Sequence, residues 1–383
     1  MKLPRVIAFT VLTHTAFGAA RVTGSLYALA NKASAFTVGV MMALFALVPM
    51  LLAVRAGRWL DAVGPWKPLL LGVSLMALGI ALPAAFPYAV ADVAPLLVGA
   101  ALIGTGFLYL QMTVQHLVGE QAPAGERAAA FSYLALGFST SGLIAPVTSG
   151  FLIDSLGHRV TFAVFFVVLL AALAVLFAHR QTLPDRAAPS EALPERALFD
   201  LFRHREVRDI LIASGLISMS WDLQTFMIPV YGTRVGLSAS QIGLVLGSFA
   251  AATFVIRGAM PFIARTWREW QVLVFTLFTG ALAFALMPFF STLLPLMLCA
   301  FLLGLGLGSA QPNVMSLLHA RTPEGRVGEA LGLRTTIMNS SHVTLPLVFG
   351  AFGSVLGAGA VFWAMATLLA SGGLRATGRW RER

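Results

Sequence analysis

The chain has 383 residues, of which 58% are apolar and only 11% are charged. So little polar surface excludes a soluble globular protein of this length and indicates that lipid is its main solvent. A net charge of +10 would suit nucleic-acid binding, but the basic residues form no patch, so no nucleic-acid partner is predicted.

Hydropathy divides the chain into twelve apolar runs, each long enough to cross a bilayer as a helix. Basic residues concentrate in every second loop and at the two ends, which predicts a multi-pass inner-membrane protein with both termini in the cytoplasm. The predicted fold is therefore all-α, with twelve transmembrane helices. The spans are placed at residues 6–29, 36–54, 68–86, 94–118, 128–153, 160–178, 208–231, 238–263, 271–290, 293–318, 330–355 and 357–374.

The first span carries one arginine, Arg21, and one histidine, His14. Its basic start looks like a signal peptide, but the apolar stretch continues towards Leu29, so we expect an uncleaved span. Arg21 lies about 15 residues into the span, roughly 22 Å along the axis and too deep to snorkel. It is predicted to hold an anionic group of a substrate, or else to form a structural ion pair. His14 shares its helical face, with Gly18 between them leaving room for substrate; alternatively, His14 only bonds a neighbouring carbonyl.

The segment between the second and third spans carries a recognisable motif. It reads Gly57-Arg58-Trp59-Leu60-Asp61-Ala62-Val63-Gly64-Pro65-Trp66-Lys67. This segment resembles the signature loop of the major facilitator superfamily, in which Gly, Asp, Gly and basic residues follow at this spacing. The matching residues are Gly57, Asp61, Gly64 and Lys67.

The resemblance extends over nearly the whole chain and implies a transporter built from two bundles of six helices. It implies that the four matching loop residues hold the cytoplasmic gate closed. Arg334, near the cytoplasmic end of the eleventh span, either reaches the lipid headgroups or meets Asp61 in this gate. In this superfamily the third, sixth, ninth and twelfth spans lie outside the substrate cavity. In this chain the apolar runs of those four spans contain no charged residue and no histidine. The polar residues of the other spans are therefore predicted to mark the cavity.

The fourth and fifth spans add further candidate residues. Gln111 and Gln115 share a face of the fourth span, where they either contact substrate or bond another helix. The segment 142–150 of the fifth span is similar to the Gly-Pro motif of the antiporter branches, with Ala145 and Ser149 where glycines are usual. Export and plain close packing of helices both account for it.

A polar, proline-rich segment at residues 180–207 divides six spans from six. The predicted domains are residues 1–179, a cytoplasmic linker at 180–207, and residues 208–383. Identities recur between the halves at offsets of 204 and then 200, which predicts two pseudo-symmetric bundles. The matched pairs include Tyr27 with Tyr231, Phe45 with Phe249, Trp66 with Trp270, Ser141 with Ser341, Pro146 with Pro346 and Gly157 with Gly357.

The second half carries the acidic candidate. Asp222 lies about 14 residues into the seventh span, where it either binds the coupling proton or permanently neutralises Arg21. Gln224 lies beside it. Asn339 and His342 lie three residues apart near the middle of the eleventh span, where they either read the polarity of the substrate or bond another helix.

Two classes of function are weighed against this pattern of spans and polar residues: a membrane enzyme or lipid-handling protein, and a transporter. A membrane enzyme or lipid-handling protein would need clustered acids, a metal site or a nucleophile with its base, and the spans contain no such cluster. The single cysteine, Cys299, excludes a disulfide or a cysteine-pair metal site, so no metal and no cofactor are expected. The sequence therefore predicts a transporter, not an enzyme, that acts as a monomer on a small molecule with protons.

The class of substrate is predicted from the charge within the spans and from their apolar lining. An excess of positive charge within the spans favours an anion, and a lining rich in aromatic residues favours an amphipathic molecule. The motif in the fifth span favours proton-coupled efflux, and proton-coupled import of an organic anion is the alternative. The aromatic residues are Phe17, Phe107, Phe138, Trp221 and Phe226.

Overall fold

The computed structural model of the chain describes residues 3–87, 92–121, 127–183, 204–263, 265–322 and 327–381. These ranges contain twelve helices of 18 to 30 residues, two single-turn 3-10 helices and no strand, which confirms the all-α fold. The helices are α1 (Leu3–Ala30), α2 (Ala35–Val63), α3 (Trp66–Ala85), α4 (Ala94–Gln121), α5 (Arg127–Leu156), α6 (His158–Ala178), α7 (Arg205–Arg234), α8 (Ala239–Ile263), α9 (Glu269–Leu286), α10 (Leu293–Arg321), α11 (Val327–Val355) and α12 (Ala358–Arg381).

Ten of these helices, α1 to α10, are long and apolar enough to cross a membrane. The remaining two are more polar, since α11 carries Asn339 and His342 at its centre and α12 carries Arg375. The twelve helices agree in number with the predicted spans but several run further. α2 continues to Val63, nine residues past its predicted end at 54, because a helix that leaves the lipid still satisfies its own backbone groups.

The described residues form two compact units. The first takes the described residues up to 183 together with Ser238–Leu244, and the second takes those from 204 to Leu237 and from Val245 onward. Most of the predicted linker, residues 184–203, lies outside the described residues. The domain boundaries at 179 and 208 therefore stay a prediction.

The same helix pairs pack in both units. In the first unit α1 packs on α4, α5 and α6, and α3 packs on α4 and α6. In the second unit α7 packs on α10, α11 and α12, and α9 packs on α10 and α12. Five helix pairs are thus repeated, as two copies of one six-helix bundle require.

Individual contacts repeat as well. Tyr27 meets Phe162 edge-to-face, and the equivalent Tyr231 meets Phe362 in the same manner. The glycines that precede α6 and α12, Gly157 and Gly357, have positive φ angles of 83° and 84°, a conformation that glycine adopts without steric cost. The offsets read from the sequence therefore match residues with the same structural role.

Gly104 and Gly304 are a further equivalent pair, and each allows a close helix crossing. A methyl group at Gly104 would overlap the carbonyl oxygen of Phe45, and one at Gly304 would overlap that of Phe249. Small residues at such crossings let two helix backbones approach. The same construction in both units shows that α4 and α10 are held by backbone contact with the second helix of their half.

Gly104→Ala is expected to destabilise the protein by about 1–3 kcal/mol, because the added methyl forces the helices apart. Gly142→Ala is the matched control, since nothing among the described residues lies within 4 Å of a methyl placed there. It should leave stability unchanged or raise it by about 1 kcal/mol or less. Reversible unfolding in mixed detergent micelles measures both free energies. Equal losses for the two variants would contradict the close crossing.

Candidate functional site

His14 of α1 lies in an aromatic cluster of the first unit. Its ring centroid is 4.9 Å from that of Phe138, 5.4 Å from Phe107 and 6.1 Å from Phe17. Its Nδ1 lies 2.5 Å from the Oγ of Ser141 on α5. The Oγ of Ser141 also lies within hydrogen-bond distance of the carbonyl oxygens of Gly137 and Phe138 in its own helix. His14 thus bonds a facing helix and not a carbonyl of α1.

Arg21 lies two turns further along α1 and is half-buried. Its guanidinium carbon is 5.7 Å from the ring centroid of Phe17 and 6.0 Å from that of Phe45. Aromatic faces attract a guanidinium and help to orient it. The first unit therefore holds a positive charge against aromatic rings, in the middle of a long helix.

Gly18 does not leave room for a substrate, contrary to the expectation from sequence. A methyl placed on Gly18 would lie 3.0 Å from the Cβ of Ala145 on α5. The glycine instead lets α1 and α5 pack closely, in the way that small residues do at helix interfaces. His14 and Arg21 are separated by this helix contact.

The second unit holds an acid and a histidine in direct contact. The Nδ1 of His342 on α11 lies 2.7 Å from both carboxylate oxygens of Asp222 on α7. The side chain of Asp222 is 9% exposed and that of His342 is 37% exposed. A buried carboxylate thus shares a proton-bearing bond with a ring that is open to its surroundings.

This pair has no counterpart in the first unit. At the offsets of the repeat, Asp222 corresponds to Gly18 and His342 corresponds to Gly142. The same helices therefore meet in both units, but at these two positions only the second unit carries titratable side chains. The first unit uses His14 and Ser141 at its α1–α5 contact instead.

A second buried acid on α7 has a different partner. Asp209 is buried, and its Oδ1 accepts a hydrogen bond of 2.7 Å from the Nε of Arg375 on α12. Arginine keeps its charge under all ordinary conditions, so the partner of Asp209 is a permanent cation. Asp222, paired with a histidine, is the buried acid of α7 whose partner can itself gain or lose a proton.

The other predicted substrate residues occupy varied surroundings. Gln111 is half-buried and Gln115 is exposed, both on α4. Gln224 is buried, and its Oε1 accepts a hydrogen bond of 3.1 Å from the hydroxyl of Thr225. Asn339 is half-buried on α11. The surroundings of these four residues do not test their predicted role in substrate binding, which stays a prediction.

The predicted gating segment is mostly helical and not a loop. Gly57 lies within α2, and a methyl on it would come within 3.2 Å of the Cε of Met112 on α4. Gly64 ends α2 with a positive φ of 74°, which favours glycine there. Lys67 is exposed at the start of α3, and the side chain of Asp61 lies outside the described part of the chain.

Arg334 has a partner within its own unit. Its Nε donates a hydrogen bond of 2.9 Å to the Oγ of Ser214 on α7. This contact fixes the side chain beside the first turns of α7. The predicted meeting of Arg334 with Asp61 stays a prediction.

Asp154, near the end of α5, makes a contact that the sequence did not suggest. Its carboxylate accepts hydrogen bonds from the backbone N–H groups of Ala239, at 3.1 Å, and Ser240, at 2.8 Å, within the first unit. Carboxylates stabilise helix N-termini in this way. Ser238 and Gln241 form a capping box that marks the start of α8, but nothing local links this start to an acid 85 residues earlier.

Comparison with known proteins shows which family the chain resembles. A model of the Major Facilitator Superfamily matches residues 6–341 and 210–383. The chain is 23% identical over 242 residues to a multi-drug resistance efflux pump PmrA homolog of Lactococcus lactis subsp. lactis (strain IL1403), an alignment covering 61% of this chain and 59% of the relative. It is 25% identical over 254 residues to the multidrug resistance protein MdtG of Klebsiella pneumoniae (strain 342), covering 64% and 61%. The chain thus spans about three fifths of the length of these relatives.

Solved structures share the fold over nearly the full length. A POT family transporter in complex with a thioalcohol-conjugated peptide superposes with a TM-score of 0.81 at 12% identity, covering 99% of this chain and 96% of that one. The nucleoside transporter NupG superposes with a TM-score of 0.80 at 10% identity, covering 98% and 99%. At such identities the likeness establishes the fold alone.

Proposed function

Because this chain belongs to the major facilitator superfamily, we propose that it exports a small amphipathic organic anion across the inner membrane in exchange for protons. Proteins of this family are secondary transporters, not enzymes, and their fold works by alternating access. The proposal concerns the substrate, the direction and the coupling ion. The one observation that carries it is the contact between Asp222 and His342.

The Asp222–His342 pair suits proton coupling because two side chains that can each carry a proton are in direct contact. Substrate binding near the exposed side of His342 can therefore move a proton onto or off the pair. A transporter needs such a link between solute and proton to use the gradient.

The surroundings of Arg21 are suited to binding the anionic group of the substrate. A half-buried arginine held by two aromatic rings offers a fixed charge next to apolar surface, and an amphipathic anion supplies the complement of both. Export is supported by the relatives, whose names describe an efflux pump homolog and a multidrug resistance protein. The segment 142–150, which is similar to the Gly-Pro motif of the antiporter branches, supports the same direction.

The remaining sequence predictions belong to this proposal. Gln111, Gln115, Gln224 and Asn339 are further substrate contacts, and Gly57, Asp61, Gly64, Lys67 and Arg334 form the cytoplasmic gate. We also propose that the protein acts as a monomer, with both termini in the cytoplasm, as its distribution of basic residues favours.

Everted membrane vesicles test the direction and the coupling together. An exporter that exchanges anion for protons should accumulate naphthalenesulfonate in everted vesicles whose lumen is acidic, and a protonophore should abolish the accumulation. Sulfonates stay ionised, so they do not leak across the bilayer as neutral acids. Accumulation only in right-side-out vesicles with an acidic exterior would instead establish proton-coupled import. Recovery of chemically unchanged sulfonate separates transport from catalysis.

A further inference from the structure

The guanidinium of Arg21 belongs to a chain of aromatic contacts that lies wholly within the first unit. Its carbon is 5.7 Å from the ring centroid of Phe17, four residues earlier in α1. Phe107 of α4 stacks on the ring of Phe17, with centroids 4.1 Å apart and an interplanar angle of 15°. Phe45 of α2 meets the same ring edge-to-face at 5.8 Å and 88°. Phe17 thus contacts a ring from each of two other helices as well as the arginine.

These two ring contacts fix the orientation of Phe17. Phe45 is buried, and its carbonyl oxygen lies against Gly104 at the close crossing of α2 and α4. Gly104 precedes Phe107 by three residues in α4, so the same crossing also places the stacked ring. Stacked and edge-to-face pairs each favour one relative orientation, so Phe17 cannot turn without weakening one of them. The ring that attracts the guanidinium is therefore held in place from two sides.

The second unit shows which of these contacts the helix crossing itself requires. The edge-to-face pair has an equivalent there, formed by Trp221 and Phe249 at 4.7 Å and 87°. Leu307 stands in place of the stacked ring, at the offset of 200, and Thr225 stands in place of the arginine, at the offset of 204. The crossing therefore forms without a stacked ring. The stacked ring and the arginine occur together in one unit and are replaced together in the other.

We propose that Phe107 is a positioning residue, which acts through Phe17 to hold the guanidinium of Arg21 in the orientation that binds the anionic group of the solute. This inference rests on the proposed function, in which Arg21 binds that group. An arginine that is already oriented loses less conformational freedom when the anion binds. Phe107 therefore raises the affinity for the anion, and it leaves the rate of the conformational cycle unchanged.

Phe107→Leu, which copies the second unit, tests this role. The variant should raise the KM for naphthalenesulfonate uptake about tenfold and leave the maximal rate within about twofold of wild type. Phe107→Tyr keeps a flat ring and should keep both constants within about twofold. Phe177→Leu is the control, because it removes an edge-to-face pair with Trp66 at the end of α6. The control should change neither constant.

A double-mutant cycle with Arg21→Lys separates positioning of the guanidinium from general packing. An ammonium is a compact point charge without a plane to orient. In the Arg21→Lys background, Phe107→Leu should therefore raise the KM by about twofold or less. Phe107 also contacts His14, with ring centroids 5.4 Å apart. An effect through His14, or through packing alone, predicts the same rise of about tenfold in both backgrounds.

The outcomes separate the inference from the proposed function. Equal rises in both backgrounds, an unchanged KM, or a fall in the maximal rate alone would overturn the positioning role while anion export stands. If the wild type transports no naphthalenesulfonate, the proposed function fails and the inference with it. If Phe107→Leu does not fold, as judged by its thermal transition, Phe107→Met carries the same expectation, because its flexible side chain fills space without a flat face.

Discussion

Asp222→Asn is expected to abolish proton-driven accumulation of the anion while retaining exchange of solute between equal pools. Asparagine has the shape of the acid but cannot carry a proton, so the solute can no longer be moved against its gradient. Exchange between equal pools needs no net movement of protons and should continue. Accumulation in everted vesicles and counterflow in the same preparation measure the two activities.

The contact with His342 is the physical reason for this expectation. The two side chains lie 2.7 Å apart on different helices, so a proton bound by one is in direct contact with the other. His342→Gln should therefore weaken accumulation as well. If the pair only joins α7 to α11, Asp222→Asn will harm exchange and accumulation alike, and replacing both residues will restore part of the loss.

Asp209→Asn is the matched control, since Asp209 is also a buried acid of α7 but is bonded to an arginine. It should lower thermal stability, because it leaves Arg375 without its ionic partner. The accumulation supported by each folded molecule should stay the same. Accumulation at the wild-type level by Asp222→Asn would exclude this residue as the proton carrier. Loss of coupling in Asp209→Asn but not in Asp222→Asn would exclude it as well.

Arg21→Ala is expected to reduce anion transport by roughly 100-fold or more, because removing one partner of a poorly hydrated charge pair costs several kcal/mol. Arg21→Lys should lose about tenfold, since an ammonium keeps the charge but not the planar fork that matches a sulfonate or carboxylate. Initial rates of naphthalenesulfonate uptake, normalised to folded protein, measure both effects. Uptake of uncharged naphthalene derivatives should change little in either Arg21 variant.

Arg257 provides the control for Arg21. It lies in α8, two turns from the end of the helix, where a long side chain can reach the headgroups. Arg257→Ala should leave anion transport within about twofold of wild type. Normal transport by Arg21→Ala would contradict the anchoring role. An equal fall in both variants would indicate a general effect of interior charge.

The number of helices and their repeat were readable from the sequence because both are local or periodic properties. Lipid demands an apolar run of fixed length for every span, whatever packs beside it. Duplication leaves glycine, proline and aromatic residues at constant offsets, and Tyr27 and Tyr231 have equivalent contacts for that reason. Helix ends were less predictable, since α2 continues through Gly57 to Val63 where hydropathy no longer constrains the backbone.

The partners of the polar residues were decided by the tertiary structure. Sequence placed His14, Arg21, Asp222 and His342 inside spans, because a buried polar group is costly and stands out among apolar neighbours. It did not reveal that Asp222 meets His342, 120 residues later, or that Gly18 packs against Ala145. Such contacts depend on which faces of two helices meet. That choice is made by side-chain packing across the whole bundle, which no single span encodes.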